Sequence, residues 1–203
     1  MCGRYLVLTD DDYEEIQNTI NEVSVKYGES KLANGEVFPT SNVPVIYSHN
    51  GRNILSSAKW GFPNFKNNGV IINARSETIA EKPMFRKAFA TKRCLIPANA
   101  YFEWLTQDNI KIKYQISIKE KPLFFMAGLY DIFSDKNSMT YAGITIITTE
   151  ANSDIAFIHN RMPVILPDTA INTWLDCSIS DLNVLQNLLT PYSIGLIDYR
   201  TAA

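Results

Sequence analysis

The chain has 203 residues and a formal net charge of −2. A composition of 46% hydrophobic and 20% charged residues is that of a globular protein and lacks the polar bias of disordered chains. The near-neutral charge argues against a protein that coats nucleic acid by bulk electrostatics. We expect a single domain over residues 1–203.

The sequence also gives no indication of a membrane span, a metal site or a cofactor site. No apolar run reaches the ~18 residues of a membrane span, and acidic residues at 10–15 stand where an export signal would be apolar, so we expect a cytoplasmic protein without a membrane partner. Cys2, Cys94 and Cys177 are odd in number and widely spaced, which predicts neither a disulfide framework nor a zinc site.

The predicted elements alternate irregularly along the chain. A strand over residues 4–8 leads into a helix over 9–28, which an acidic cap begins and a glycine ends. Asn50-Gly51 predicts a hairpin between strands at 45–47 and 53–59. Further strands are predicted at 70–73, 94–96, 111–119, 123–129 and 141–148, and further helices at 84–91, 168–175 and 180–189.

We expect Asp168 and Ser180 to cap the last two of these helices. Most strands are joined by turns rather than by helices. This order favours an α+β fold, a single compact domain with a curled, mostly antiparallel or mixed β-core that resembles a barrel, and with peripheral helices.

Cys2 is placed unusually, directly behind the initiator methionine. Chain ends fray, so burial alone explains a cysteine here poorly. If Met1 is removed, residue 2 carries an amine and a thiol on adjacent carbons, and both groups titrate close to neutral pH. Such a pair can condense with an aldehyde to a thiazolidine ring, or its thiolate can attack an amide with the amine as base.

Three further stretches carry polar residues that chemistry can use. In IINARSET, Asn73 and Arg75 alternate and therefore face one side, although an asparagine turn beside a surface arginine fits equally well. In AYFEWL, Glu103 stands between Phe102 and Trp104, where a desolvated carboxylate would serve in acid–base catalysis, but the outward residue of a strand is the simpler explanation.

In FIHNRMPVIL, His159 and Arg161 again lie two apart, and a lone histidine before a hydrophobic strand is more often structural than catalytic. The stretch FRKAFATKR contributes Arg86 to a basic run without acidic residues, which fits a solvated helix face as well as a nucleic-acid contact.

Taken together, these motifs carry a resemblance. MCGRY, WG-x-P, NARSET, RCLIPANAYFEW and IHNRMPVIL follow one another from residue 2 to residue 166, and in this order they resemble the SRAP family of SOS-response-associated peptidases, or abasic-site-processing proteins. The resemblance implies a compact α+β domain with one channel for single-stranded DNA. It also implies covalent crosslinking to abasic sites in that DNA, which shields them from strand cleavage.

The family's catalytic residues map onto four positions of this chain. By resemblance, Cys2 is the crosslinking residue, Asn73 helps to sense the abasic sugar, Glu103 is the acid–base carboxylate and His159 is the active-site histidine. Loss of Met1 is attributed in the family to self-processing. An associated lyase activity and reversal of the crosslink are also expected, without a cofactor or metal and with a monomer sufficient for the chemistry.

The DNA contacts implied by the same motifs are arginines for phosphates and two residues for base packing. They are Arg4, Arg75, Arg161 and the weaker candidate Arg86, together with Pro39 and Trp60. The segment Trp60-Gly61-Phe62-Pro63 is one residue shorter than the WGLIP common in the family, and Phe65 follows where another tryptophan is usual. Base stacking is therefore expected to differ in detail.

Two other function classes compete with this hypothesis. One is an N-terminal-cysteine amidohydrolase or protease that acts on a separate substrate. The other is a non-covalent single-strand-binding module in which Cys2 has no role. A crosslink to abasic DNA that survives denaturation distinguishes the crosslinking hypothesis from these two alternatives.

Overall fold

The computed structural model describes residues 2–7 and 35–202. The helix predicted over residues 9–28 lies outside this part of the chain. The described residues form fifteen strands, numbered β1 to β15, which span Tyr5–Val7, Gly35–Val37, Asn42–His49, Arg52–Trp60, Phe62–Pro63, Val70–Ile71, Asn73–Arg75, Arg93–Ala98, Ala100–Gln107, Ile110–Ile118, Phe124–Ser134, Thr140–Glu150, Arg161–Pro163, Ile165–Leu166 and Ile197–Thr201. Helices α1, α2 and α3 within the same residues span Pro83–Thr91, Asp168–Leu175 and Leu182–Gln186.

Five of the strands close into a barrel. β12 pairs with β11 on one side and in parallel with β4 on the other. The ring continues through antiparallel pairs of β4 with β3, β3 with β8 and β8 with β11. A closed ring leaves no edge among these strands. The α+β fold with a curled, mixed, barrel-like core is confirmed.

A second, antiparallel sheet has the strand order β15-β10-β9-β1-β2. Its inner face contributes Tyr5, Tyr101 and Ile116 to the same hydrophobic cluster as Val43 and Ile144 of the barrel. The short N-terminal strand is therefore held between β2 and β9 and packed onto the barrel.

The helices cover the outer surface of the barrel. In β8, Ile96 belongs to the inner cluster, whereas Leu95 belongs to a second cluster that includes Phe89 of α1 and Trp174 of α2. Successive strand residues face opposite sides, and here both sides are buried. That is why residues 94–98 of β8 form an apolar run.

The predicted hairpin is confirmed: β3 and β4 pair up to His49 and Arg52 around Asn50-Gly51, both with positive φ (51° and 73°). Both predicted helix caps were wrong. Pro167, which has no side-chain acceptor, is the N-cap of α2. α3 begins later than predicted, because the Asp181 side chain accepts a hydrogen bond from the Asn183 N–H at 2.9 Å.

Candidate active site and nucleic-acid cleft

Cys2 is fully buried, at 0% exposure. The pairing of β1 with β9 brings Tyr5 opposite Tyr101, and the Phe102 N–H donates to the Arg4 carbonyl at 2.9 Å. The Cys2 Sγ lies 3.8 Å from the Arg4 carbonyl oxygen. Sheet pairing therefore anchors this end of the chain, which the tendency of chain ends to fray did not predict.

Asn73 holds Cys2 from the barrel side. The parallel pairing of β7 with β12 sets Asn73 beside Ile146, and the Asn73 Nδ2 donates to the Cys2 carbonyl at 2.9 Å. Its Oδ1 is buried and has no hydrogen-bond partner among the residues described. A buried amide oxygen that accepts no hydrogen bond destabilises the fold, so this atom is an acceptor available to a bound group.

Glu103 faces the inside of the second sheet. It pairs across the strands with Tyr114 and is 3% exposed. Burial raises the pKa of its carboxyl to about 7, and the positive charge of the chain's amino terminus offsets part of that rise. The neighbours Phe102 and Trp104 face the other side of the sheet, so the desolvation comes from the inward orientation and not from the flanking rings.

The surroundings of Cys2 keep its thiol protonated. Burial raises its pKa, and the negative charge of Glu103 raises it further. The hydroxyls of Tyr5 and Tyr101 are buried with no hydrogen-bond partner in the described part of the chain. Their pKa values are raised by burial and then by the charge of a Cys2 thiolate, so both rings lie close to the thiol.

His159 follows a turn after β12. Its Nδ1 accepts from the Arg161 N–H at 2.9 Å, so the neutral ring carries its proton on Nε2. Desolvation lowers the pKa of His159, and the positive amino terminus lowers it further. The same terminal charge acts on Cys2 and Glu103. One positive charge thus influences the pKa values of three of the predicted catalytic residues, and Asn73 touches Cys2 directly.

The predicted DNA contacts fall into exposed and engaged residues. Arg75 and Arg86 are exposed. Arg161 is 8% exposed and donates to both carboxylate oxygens of Glu77, at 2.6 and 2.9 Å, and to the Thr148 carbonyl at 2.7 Å. Its hydrogen bonds lower the pKa of Glu77. Arg161 is thus already engaged within the fold.

Arg4 lies on the outer face of the second sheet. Its guanidinium pairs with Glu36 at 3.0 Å and lies over the ring of Phe38, 4.3 Å from the centroid. Pro39, next to Phe38, is half-buried. Trp60 is fully buried, its indole N–H donates to the Ile72 carbonyl at 3.1 Å, and its ring packs edge-on against Tyr5. In this structure Trp60 supports the strand next to Cys2 and presents no surface for a base.

A cleft of about 630 Å³ opens beside Asn73. Arg75, Lys66 and Lys82 supply positive charge along its walls, and Phe65 and Met84 supply apolar surface. A smaller cleft of about 430 Å³ continues past Arg75 toward Asn160 and Arg161. Basic and aromatic side chains along one groove are the combination that binds single-stranded nucleic acid.

Phe65, Lys66 and Lys82 were not among the predicted DNA contacts. The turn of the chain at Gly61 explains how the first two reach the cleft. Gly61 has φ of 128°, and a Cβ there would stand 2.7 Å from the Val70 Cβ. Only glycine allows this close corner, from which residues 62–71 turn outward and leave Phe65 at 81% exposure. The glycine after Trp60 was the available sequence signal.

No helix in the described ranges is long and apolar enough to span a bilayer. Within those ranges there is also no cluster of three or more His, Cys, Asp or Glu residues able to hold a metal ion.

The family of SOS response associated peptidases (SRAP) matches this chain over residues 1–201. This chain belongs to the SRAP family. Two proteins of Bacillus subtilis (strain 168) are similar to it. One is named abasic site processing protein YoaM, with 38% identity over 95% of this chain and 86% of its own. The other is abasic site processing protein YoqW, with 36% identity over 95% and 88%.

The fold of this chain is also found in a solved structure. A crystal structure of a protein from Bacteroides thetaiotaomicron superposes with a TM-score of 0.81 at 27% identity, covering 100% of this chain and 92% of that one. The likeness in fold therefore extends over the whole length of this chain.

Proposed function

We propose that this protein processes abasic sites in single-stranded DNA by forming a covalent crosslink through Cys2 once Met1 has been removed. The observation that carries the proposal is the contact between Asn73 and the Cys2 carbonyl, which fixes the cysteine beside a carboxyl with a pKa near the neutral range. The names of the relatives, abasic site processing proteins, support the choice of substrate.

The chemistry starts from the open form of the abasic deoxyribose, which is an aldehyde. The Cys2 amine adds to this carbon, and loss of one water gives an imine. The Cys2 thiol then adds across the carbon–nitrogen double bond, its sulfur bonds to carbon and its proton ends on nitrogen. The product is a thiazolidine ring, and the sequence needs no oxidant or reductant.

Glu103 suits the proton transfers of this sequence. With a pKa of about 7 it takes a proton from the Cys2 thiol as a base, or gives one to the departing water as an acid. The same exchange in reverse would reopen the ring. Because burial keeps the thiol protonated, a base beside it is required before sulfur can attack.

Asn73 and His159 position the sugar. The Asn73 Oδ1, which lacks a partner in the described residues, accepts a hydrogen bond from a sugar hydroxyl while Nδ2 holds Cys2. His159 orients the sugar through Nε2 and assists a lyase reaction by β-elimination at the imine stage. The DNA strand follows the cleft, with Arg75 and Arg86 on phosphates and Pro39 at its margin. One chain suffices for all of this.

The test is incubation with single-stranded DNA that carries an abasic site, followed by denaturing electrophoresis. The wild-type protein should give a band that survives heat and denaturant, and Cys2→Ala should give none. Cys2→Ser keeps the amine and loses the thiol, so it should crosslink only when a hydride reductant traps the imine. Cys177→Ala is the matched control, since Cys177 is an exposed cysteine, and it should crosslink normally.

Absence of the wild-type band, or its persistence in Cys2→Ala, would refute the proposal. Turnover of a peptide or amide substrate in its place would support an amidohydrolase. Binding that disappears entirely with salt, with no stable adduct, would support a non-covalent module.

A further inference from the structure

A second groove, of about 580 Å³, lies beyond Phe65. Residues of the 62–70 segment form one wall, and the turn between β11 and β12 forms the other. The residues Asn64, Phe65 and Lys66 line both this groove and the cleft beside Asn73. The two depressions therefore meet along a ridge that carries the Phe65 ring.

The ridge is held in place by its own hydrogen bonds. The Asn64 N–H donates to the Gly69 carbonyl at 3.1 Å. The Asn64 Oδ1 accepts from the Lys66 N–H and the Asn67 Oδ1 accepts from the Gly69 N–H, both at 3.1 Å. The groove is thus a preformed surface, which lowers the entropic cost of binding.

The charge of the second groove is positive. Lys59, Lys66 and Lys136 line it, and none of the three forms an ion pair within the described residues. The one acidic side chain of the lining, Asp135, accepts hydrogen bonds from the N–H groups of Asn137 and Met139 at 2.8 and 2.9 Å. Its charge is partly offset by that turn, whereas the lysine charges face the groove.

Aromatic surface accompanies the charge. The Lys59 Nζ lies 5.7 Å from the centroid of the Tyr141 ring, and Phe65 is 81% exposed on the shared ridge. Lysines bind phosphate as point charges, and exposed rings stack on unpaired bases irrespective of sequence. In a chain with a net charge of −2, three lysines around two rings are a local feature that points to a nucleic-acid strand.

We propose that this second groove binds the single-stranded flank of the same DNA strand whose abasic site reaches Cys2. The inference rests on the proposed function for its choice of ligand. The strand passes over the Phe65 ridge, so that Lys59 and Lys136 contact phosphates on one side of the lesion only.

The test uses DNA with a tetrahydrofuran analogue of the abasic site, which has no aldehyde and so reports binding without crosslinking. A core oligonucleotide that fills the first cleft is extended on its 5′ side, on its 3′ side, or on either side as duplex. Affinities are measured over a salt series. The variants are K59A/K136A and, as a charge-matched control, K111A/K119A, whose exposed lysines lie on β10 and directly after it and line neither groove.

One single-stranded extension should raise the affinity of the wild-type protein, and K59A/K136A should lose that gain. The slope of log affinity against log salt should fall by about 1.4, for two phosphate contacts of about 0.7 each, while the control pair keeps both gain and slope. The inference fails if neither single-stranded extension adds affinity, if only a duplex extension does, or if both variant pairs lose equally.

The two proposals fail independently. If a flanking extension adds no affinity in the wild type while K59A/K136A still crosslinks the core oligonucleotide, the proposed role of the second groove is refuted. The Cys2 chemistry is then unaffected. If a flanking extension adds affinity but no crosslink to a natural abasic site forms, the Cys2 chemistry is refuted and the binding role of the groove is retained.

Discussion

Replacing Glu103 with glutamine should stabilise the protein in alkaline solution. Burial raises the pKa of Glu103 from 4.5 to about 7, so folding favours the protonated carboxyl. This stabilisation is complete below 4.5 and is lost as the pH rises through about 7. A difference of about 2.5 between the two pKa values corresponds to ~3 kcal/mol of unfolding free energy. Glu103→Gln, which carries no charge, should escape the loss.

The assay is urea denaturation of the wild type and of Glu103→Gln between pH 4 and pH 9. Their free energies of unfolding should agree within ~1 kcal/mol at the acidic end, and the variant should be ~3 kcal/mol more stable at the alkaline end. The crosslinking rate should rise through about pH 7 in the wild type and should stay low throughout this range in the variant. A stability difference independent of pH would refute the reasoning.

Three other variants test the site and its support. Asn73→Ala removes the hydrogen bond to the Cys2 carbonyl and should slow crosslinking about tenfold, whereas an unchanged rate would show that this contact does not position Cys2. Glu77→Gln should cost ~1 kcal/mol of stability at neutral pH, a modest value because the Glu77 side chain is 44% exposed. The Arg161 contacts lower the pKa of Glu77 below 4.5, so the ionised carboxylate stabilises the fold above that pH. Thermal melts should therefore show the stability difference between the wild type and Glu77→Gln vanishing as the pH falls through the lowered pKa. Phe65→Ala should weaken single-strand binding by ~1–3 kcal/mol. The melting temperature should not change, because the ring is 81% exposed. A shift in melting temperature would show that the ring contributes to the stability of the fold instead.

Strands with one buried face were the easiest to predict. Alternation in residues 111–119 matches β10, Ile110–Ile118, within one residue at each end. β9 was considered only as one explanation for Glu103, without bounds and with that residue facing outward. Tyr101 and Phe102 are both buried although they face opposite sides of the sheet, which removes the contrast on which alternation depends. β15 escaped prediction for the opposite reason, since Ile197 is its one buried residue.

The candidate site was accessible from sequence as a set of residues but not as an arrangement. The contact of Asn73 with Cys2 joins positions 71 residues apart, and no local pattern encodes such a pairing. The inward orientation of Glu103 depends on the register of β9 against β10, which a strand prediction alone does not give. Trp60 shows the limit most clearly, because only tertiary packing makes it a fully buried residue.

The central claim, that Cys2 becomes a covalent partner of abasic DNA, is tested most directly by the intact mass of the adduct. After incubation with an abasic single-stranded oligonucleotide, we expect a species whose mass equals the chain without Met1 plus the oligonucleotide, less one water. Peptide mapping should place the added mass on Cys2. An adduct that retains Met1, an adduct on another residue, or no adduct at all would show that Cys2 is not the covalent partner.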